Sequence, residues 1–201
     1  MTQYPIDDEG RFVYSRDWYE KEAHKELLDP DYFIDPSTSH PERDTVCLRD
    51  LELLPEHQIL VCGCGGGDNI ELLDKEFNCR NIQGIDFSQT AVDFCNRYFS
   101  WVTAVRGCIT KMPYGDNTFD RLLAIDVTEH LPPFLYVCFL FEARRVLKPG
   151  GRMVVLPGMT KRPEHINLLP VVVIAEHLEH LGFKPLVKNY EWVIVEKTEC
   201  V

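Results

Sequence analysis

The sequence predicts an α/β fold: a doubly wound, mostly parallel sheet with helices on both faces, preceded by an N-terminal helical cap. Three observations carry this. Past residue 57, short apolar runs alternate with stretches at helical spacing. The first run, in "ILVCGCGGGDNIELL" (59–73), breaks into Gly63, Gly65, Gly66 and Gly67 just before the first helical stretch. Residues 1–45 instead mix Asp, Glu and Pro with Tyr4, Phe12, Tyr14, Trp18, Tyr19, Tyr32 and Phe33, too aromatic a set for a disordered tail. The expected division is a cap segment over 1–45 and a sheet domain over 46–201.

The elements follow in order. "QILVCG" is a short strand ending at glycine, and "NIELLDKEF" is a helix with Ile70, Leu73 and Phe77 on one face. "NIQGIDF" is a second strand. "SQTAVDFCNRYF" is a second helix, with Ser88 as its N-cap and Val92, Cys95 and Phe99 on its buried side. "WVTAVRG" and "FDRLLAID" are the third and fourth strands. "PFLYVCFLFEARRVL" is a helix apolar almost all round, so deep burial is expected. "PGG" turns into a fifth strand, "RMVVLPG". "LLPVVVIAEHLEHLG" reads as a helix despite its β-branched centre, and "KPLVKNYEWVIVEKT" as a terminal pair of strands. Such alternation means parallel strands joined by right-handed crossovers.

Composition narrows the function classes. The chain has 201 residues, 45% of them hydrophobic, enough for one real core. No run of eighteen apolar residues exists, so no membrane span is expected. The acidic, polar start "MTQYPIDDEGRF" reads as neither a signal nor a transit peptide, and a cytoplasmic protein is expected. The eight cysteines include no C-x-x-C pair and are scattered through strands and helices, so they read as reduced core thiols. A formal charge of −11 argues against nucleic acid as the main partner, because phosphate binding needs clustered Lys and Arg.

In a doubly wound sheet, ligands bind beyond the carboxyl ends of the strands, near the point where the strand order reverses. The glycine run falls where the first strand turns into the first helix. There glycine lets the chain turn sharply and a ligand approach bare backbone. Asp86 ends the second strand in "GIDFS", where a carboxylate can accept hydrogen bonds from both ribose hydroxyls. The spacing is Gly63-x-Gly65-x-Gly67, and Asp68 stands where a dinucleotide fold has its third glycine. An acid at a helix start suits a pyrophosphate poorly.

"VCGCGGG", "GIDFS", "MPYGDNTFD", "AIDVTEHL" and "ARRVLKPGGRMVV" stand in the order and spacing of the class I S-adenosylmethionine-dependent methyltransferases. Over residues 45–158 the chain resembles the small-molecule type that includes ubiquinone and menaquinone methyltransferases. The resemblance implies a Rossmann-like sheet of seven strands with the last antiparallel, and S-adenosylmethionine as cofactor. It implies Gly63, Cys64, Gly65 and Gly67 under the methionine part, Asp86 on the ribose and Phe87 beside the adenine. It also implies Cys108 and Ile109 at the adenine edge, and Asp126 to His130 facing the reacting methyl group. Two carboxylates of the family pattern are replaced, by Val61 ahead of the loop and by Cys108. Each replacement removes a charge-assisted hydrogen bond worth about 1.5–3 kcal/mol.

Methyl transfer from a sulfonium asks a protein for alignment, a dry pocket and sometimes a base. The candidate base is His130, with Glu129 or Asp126 to orient it; the competing role is plain packing under Pro132-Pro133. Asp126-x-x-Glu129-His130, with His165, also offers oxygen and imidazole ligands. It resembles the E-x-x-E-H stretch of metal-using ubiquinone O-methyltransferases and small-RNA 3′-end methyltransferases, but a structural role without metal is the reading adopted. Two alternatives stay open: a methyltransferase-fold binding module with little or no catalysis, and a metal-assisted O-methyltransferase. The expected partner is a small-molecule methyl acceptor, walled mainly by the cap through Tyr14, Trp18 and Tyr19, since only about ten residues separate the fifth strand from the next helix.

Overall fold

The computed structural model describes Asp8, Ser15 and residues 18–29 and 41–199. Seven strands form one sheet: β1 Ile59–Cys62, β2 Ile82–Asp86, β3 Thr103–Arg106, β4 Phe119–Ile125, β5 Leu147–Leu156, β6 Phe183–Lys188 and β7 Val193–Lys197. Their order is β3-β2-β1-β4-β5-β7-β6. The first five are parallel, while β7 runs antiparallel to both β5 and β6. The order reverses between β1 and β4, so a crevice is expected at their carboxyl ends.

Five α-helices cover the sheet among the described residues: α1 Pro41–Asp50, α2 Asp68–Phe77, α3 Gln89–Tyr98, α4 Pro133–Val146 and α5 Val171–His180. The two faces follow from the two-residue period of strands. Ile59 and Val61 of β1 pack in one core with Leu48, Leu73 and Phe94 from α1, α2 and α3. Leu60 and Cys62 point the other way, into a core with Phe139 of α4 and Ile174 of α5. Both faces are covered, which is why β1 is buried at every position. Ser88 caps α3 as the sequence implies, accepting the Ala91 N–H at 3.3 Å.

Three expectations are corrected. Helix α4 is not buried all round: Phe134 is 77%, Val137 45% and Phe141 58% exposed, while Tyr136, Phe139 and Ala143 face the sheet. A helix lying on one sheet face has a single side to bury, whatever its composition. "PGG" does not end one element before another. Phe119 pairs with Leu147 and Arg121 with Arg152, so the residues between bulge out within β5. The connection from β5 to α5 runs over 157–170, longer than expected, because "MTKRPEHIN" folds back against the end of β4 through the bond from Asn167 N–H to the Glu129 carbonyl at 3.0 Å.

The described part of the N-terminal segment is a π-helical turn at Tyr19–Ala23, a 3₁₀ turn at Lys25–Leu28, and α1. Trp18, Tyr19 and Leu27 are buried; Tyr14 lies outside the described residues.

Gly67 starts α2 with φ +86°, and a Cβ there would collide with the Phe99 ring. Gly67→Ala is therefore expected to lose at least about 1–2 kcal/mol, the cost of the left-handed region for an L-residue, besides displacing Phe99. Urea unfolding measures it, and an unchanged midpoint would contradict the packing described.

Candidate functional site

The glycine loop is sewn to the end of β2. Gly63 and Cys64 N–H groups both reach the Ile85 carbonyl, at 2.8 and 3.2 Å. The Gly65 N–H donates to Asp86 Oδ2 at 3.0 Å, and the Ser88 N–H donates to Oδ1 at 2.9 Å. Gly63, Gly65 and Gly67 all have positive φ. A side chain on Gly63 would collide with Val127, so glycine here is a requirement of packing. Burial pushes the Asp86 carboxyl above its ordinary value, opposed by the His24 imidazole and by the two backbone donors.

This loop walls a cleft of about 740 Å³, open to solvent, at the carboxyl ends of β1, β2 and β4. Gly63, Gly65, Asp86, Phe87, Cys108, Ile109, Asp126 and His130 all line it. Cys64 does not; it is buried and contributes to an adjoining cavity. Gly67 lines neither, being committed to the start of α2. Cys108 Sγ lies 3.0 Å from the Thr110 hydroxyl. Val61 is buried in the sheet, at 1% exposure.

The adjoining cavity, about 1080 Å³, shares Gly63, Gly65, Asp126 and His130 with the cleft and is more polar. Asp126, with φ +52°, is held at its mouth by Arg43 of α1 through bonds of 2.7 and 3.4 Å. Arg43 also pairs with Asp44 at 2.9 Å. Sequence reasoning missed Arg43. A pairing across 83 positions leaves no local signature, and the only hint was an arginine in a helix ahead of the first strand.

Glu129 and His130 sit on a 3₁₀ turn, Thr128–His130, just past β4. The sequence points to Glu129 or Asp126 as the group that orients His130; the ring's hydrogen bond goes instead to the Glu164 carbonyl, 3.2 Å from Nδ1. A carbonyl only accepts, so Nδ1 carries the proton and Nε2 keeps its lone pair. His165 is fixed the same way, Nδ1 lying 2.6 Å from the Thr160 carbonyl. The two rings meet edge to face at 4.8 Å. Glu129 is fully buried, and neither carboxylate oxygen has a hydrogen-bond partner. Its Oε1 is 3.8 Å from His130 Nε2. Glu129, His130 and His165 thus present ligand atoms within 4.8 Å of one another; Asp126 is spent on Arg43.

Burial raises the Glu129 carboxyl to about 7 and, with the nearby His165, lowers the His130 imidazole to about 4. His130 is therefore neutral at pH 7.

The strand order, with a cleft at its reversal, defines a doubly wound α/β protein. Residues 59–151 match the family model described as a methyltransferase domain. The chain is 35% identical over 108 residues to a demethylmenaquinone methyltransferase of Bacillus licheniformis, covering 52% of this chain and 44% of that protein. It is 33% identical over 96 residues to a fatty-acid O-methyltransferase of Mycolicibacterium smegmatis, covering 47% and 34%. The chain spans less than half the length of these curated relatives. The solved structure of a [4+2]-cyclase, SpnF, superposes with TM-score 0.69 at 20% identity, over 93% of this chain and 77% of that one, a likeness of fold alone. Over residues 59–151 the chain is thus similar to methyltransferase domains. Among the described residues no helix is long and apolar enough to cross a membrane.

The two perturbed groups act on stability in opposite directions. The folded state keeps a proton on Glu129 that the unfolded state releases above about 4.5, so that stabilisation is full at low pH and is lost as pH rises to about 7. The folded state refuses a proton on His130 that the unfolded state takes below about 6.5, so that stabilisation is full above this value and is lost as pH falls to about 4. In chelator-treated protein, Glu129→Gln removes the first slope. Its stability should then climb by roughly 3 kcal/mol relative to wild type between pH 4.5 and 7, at about 1.4 kcal/mol per pH unit. Identical wild-type and variant profiles would contradict a protonated Glu129.

Proposed function

We propose that this protein transfers the methyl group of S-adenosylmethionine to a small-molecule acceptor by in-line displacement. The observation that carries it is the convergence of bare glycine backbone, the buried Asp86 carboxylate and His130 on one cleft. The donor set fits the cofactor. Asp86 accepts from a ribose diol, Phe87 offers an aromatic face to a purine, and Gly65 leaves room that a Cβ would fill. Asp126, which lines both cavities and is held there by Arg43, is the acid on the methionine side, where Val61 supplies none. When bound, the cofactor brings an electrophilic methyl group and its own leaving group.

The chain's residues do the rest. Ile109, Val127, Leu131 and Tyr19 give the cleft its apolar walls. His130 Nε2 is the atom that receives the acceptor's proton. With a pKa near 4 it is a weak base, which suits an acceptor that is itself acidic. Tyr19 forms the acceptor-side wall, edge-on to His130 at 5.7 Å. Small-molecule acceptors agree with the names of both curated relatives. A cytoplasmic setting agrees with free thiols at the described cysteines.

Calorimetry with S-adenosylhomocysteine tests this reading. Binding is expected, and Asp86→Ala should weaken it by about 1.5–3 kcal/mol, the range for a charged hydrogen bond. A wild-type protein that binds neither product nor cofactor at millimolar levels would leave a methyltransferase-shaped binding module instead.

A second reading, metal-assisted transfer, is favoured by one observation: the orphaned Glu129 carboxylate beside two imidazoles whose Nε2 lone pairs are free. The backbone carbonyls on both Nδ1 atoms are the outer partners that metal-binding histidines use. On the first reading, transfer persists in EDTA. Loss of transfer restored by Mg²⁺ or Zn²⁺, and abolished by His165→Ala, would move the assignment to the second.

A further inference from the structure

Glu20 belongs to the π-helical turn Tyr19–Ala23, yet its carboxylate is spent on residues far along the chain. It accepts from the Gln89 N–H at 2.8 Å, the Thr90 N–H at 3.2 Å, the Ser88 hydroxyl at 3.1 Å and the Thr90 hydroxyl at 3.4 Å. Arg106 pairs with it at 3.0 Å. Arg106 also donates to the Phe87 carbonyl at 3.3 Å. Burial alone would raise the Glu20 carboxyl; these donors outweigh it and hold the group below its ordinary value. One carboxylate from the N-terminal segment therefore ties the end of β2, the start of α3 and the end of β3 together. Those are the elements that carry Asp86, Phe87 and Cys108 into the cleft.

Four residues on, His24 lines the same cleft. Its Nδ1 is buried without a hydrogen-bond partner, while its Nε2 lies 3.8 Å from where a Cβ on Gly65 would stand. Asp86 is close enough to feel its charge. Tyr19, on the near side of the turn, stands edge-on to Phe87 at 4.9 Å. Nδ1 is closed off from solvent, so Nε2, beside Gly65, is the ring atom that a ligand in the cleft reaches. A hydroxyl, which both donates and accepts, is a partner for either imidazole tautomer.

We propose that residues 19–24 form the fourth wall of a ribose subsite, with His24 contacting the vicinal diol opposite Asp86 and Glu20 acting as the positioning residue that holds this wall in place. The ligand class is a nucleoside with both ribose hydroxyls free. The proposal rests on the cofactor-binding reading above and adds two residues to it. It also gives the N-terminal segment a role in recognition that packing alone would not require. The segment's aromatic residues fill space, whereas Glu20 fixes an orientation, and His24 spends a polar atom on the cleft.

The test uses the full chain and competes adenosine and 2′,3′-dideoxyadenosine against labelled S-adenosylhomocysteine. Wild type is expected to prefer adenosine. Glu20→Gln and His24→Ala should each cut that preference by about tenfold, the worth of one net hydrogen bond, and leave dideoxyadenosine binding near its wild-type level. Glu20→Asp should restore part of the preference. Equal weakening of both nucleosides would mean that the segment only stabilises the fold, which overturns the proposal. Unchanged preference in both variants overturns it as well. Failure of wild type to bind S-adenosylhomocysteine at all would instead remove the cofactor reading, and this inference with it.

Discussion

The site depends on one buried carboxylate. Asp86 takes the Gly65 N–H on one oxygen and the Ser88 N–H on the other. The first bond fixes the glycine loop over the end of β2, and the second fixes the start of α3. A neutral side chain of the same shape would leave at least one of those donors facing nothing, in a place water does not reach. The cost of holding the charge there is visible in its raised pKa, and the His24 imidazole offsets part of it. Asp86 therefore shapes the cleft before any ligand arrives.

Much of this was legible in the sequence for a physical reason. Parallel strands covered on both faces must be apolar runs, and β1 and the second half of β4 are. A left-handed turn against packed side chains must be glycine, and Gly63 and Gly67 are. Side-chain pairing across long separations was not legible. Arg43 meets Asp126 across 83 positions, and Glu20 meets Ser88 and Thr90 across about 70. Neither pairing changes a periodicity or a motif. The helix α4 misreading has the opposite cause: its composition says "buried", but the sheet offers it one face only, so Phe134, Val137 and Phe141 reach solvent. The orienting partner of His130 was missed because it is a backbone carbonyl, which any residue at position 164 would supply.

The fold by itself leaves the chemistry open. A cyclase shares it at TM-score 0.69, and the curated relatives at 33% and 35% identity act on unlike acceptors by name. What distinguishes this chain is local. Val61 and Cys108 stand at two positions where the sequence resemblance implies acids, and a polar cavity holding Glu129, its carboxyl raised to about 7, adjoins the cleft.

A crystal structure of the full chain with S-adenosylhomocysteine tests this account most directly. The account predicts ribose hydroxyls on Asp86, the adenine against Phe87 and Cys108, and the sulfur facing His130. A ligand seated elsewhere, or one whose ribose makes no contact with Asp86, would contradict it.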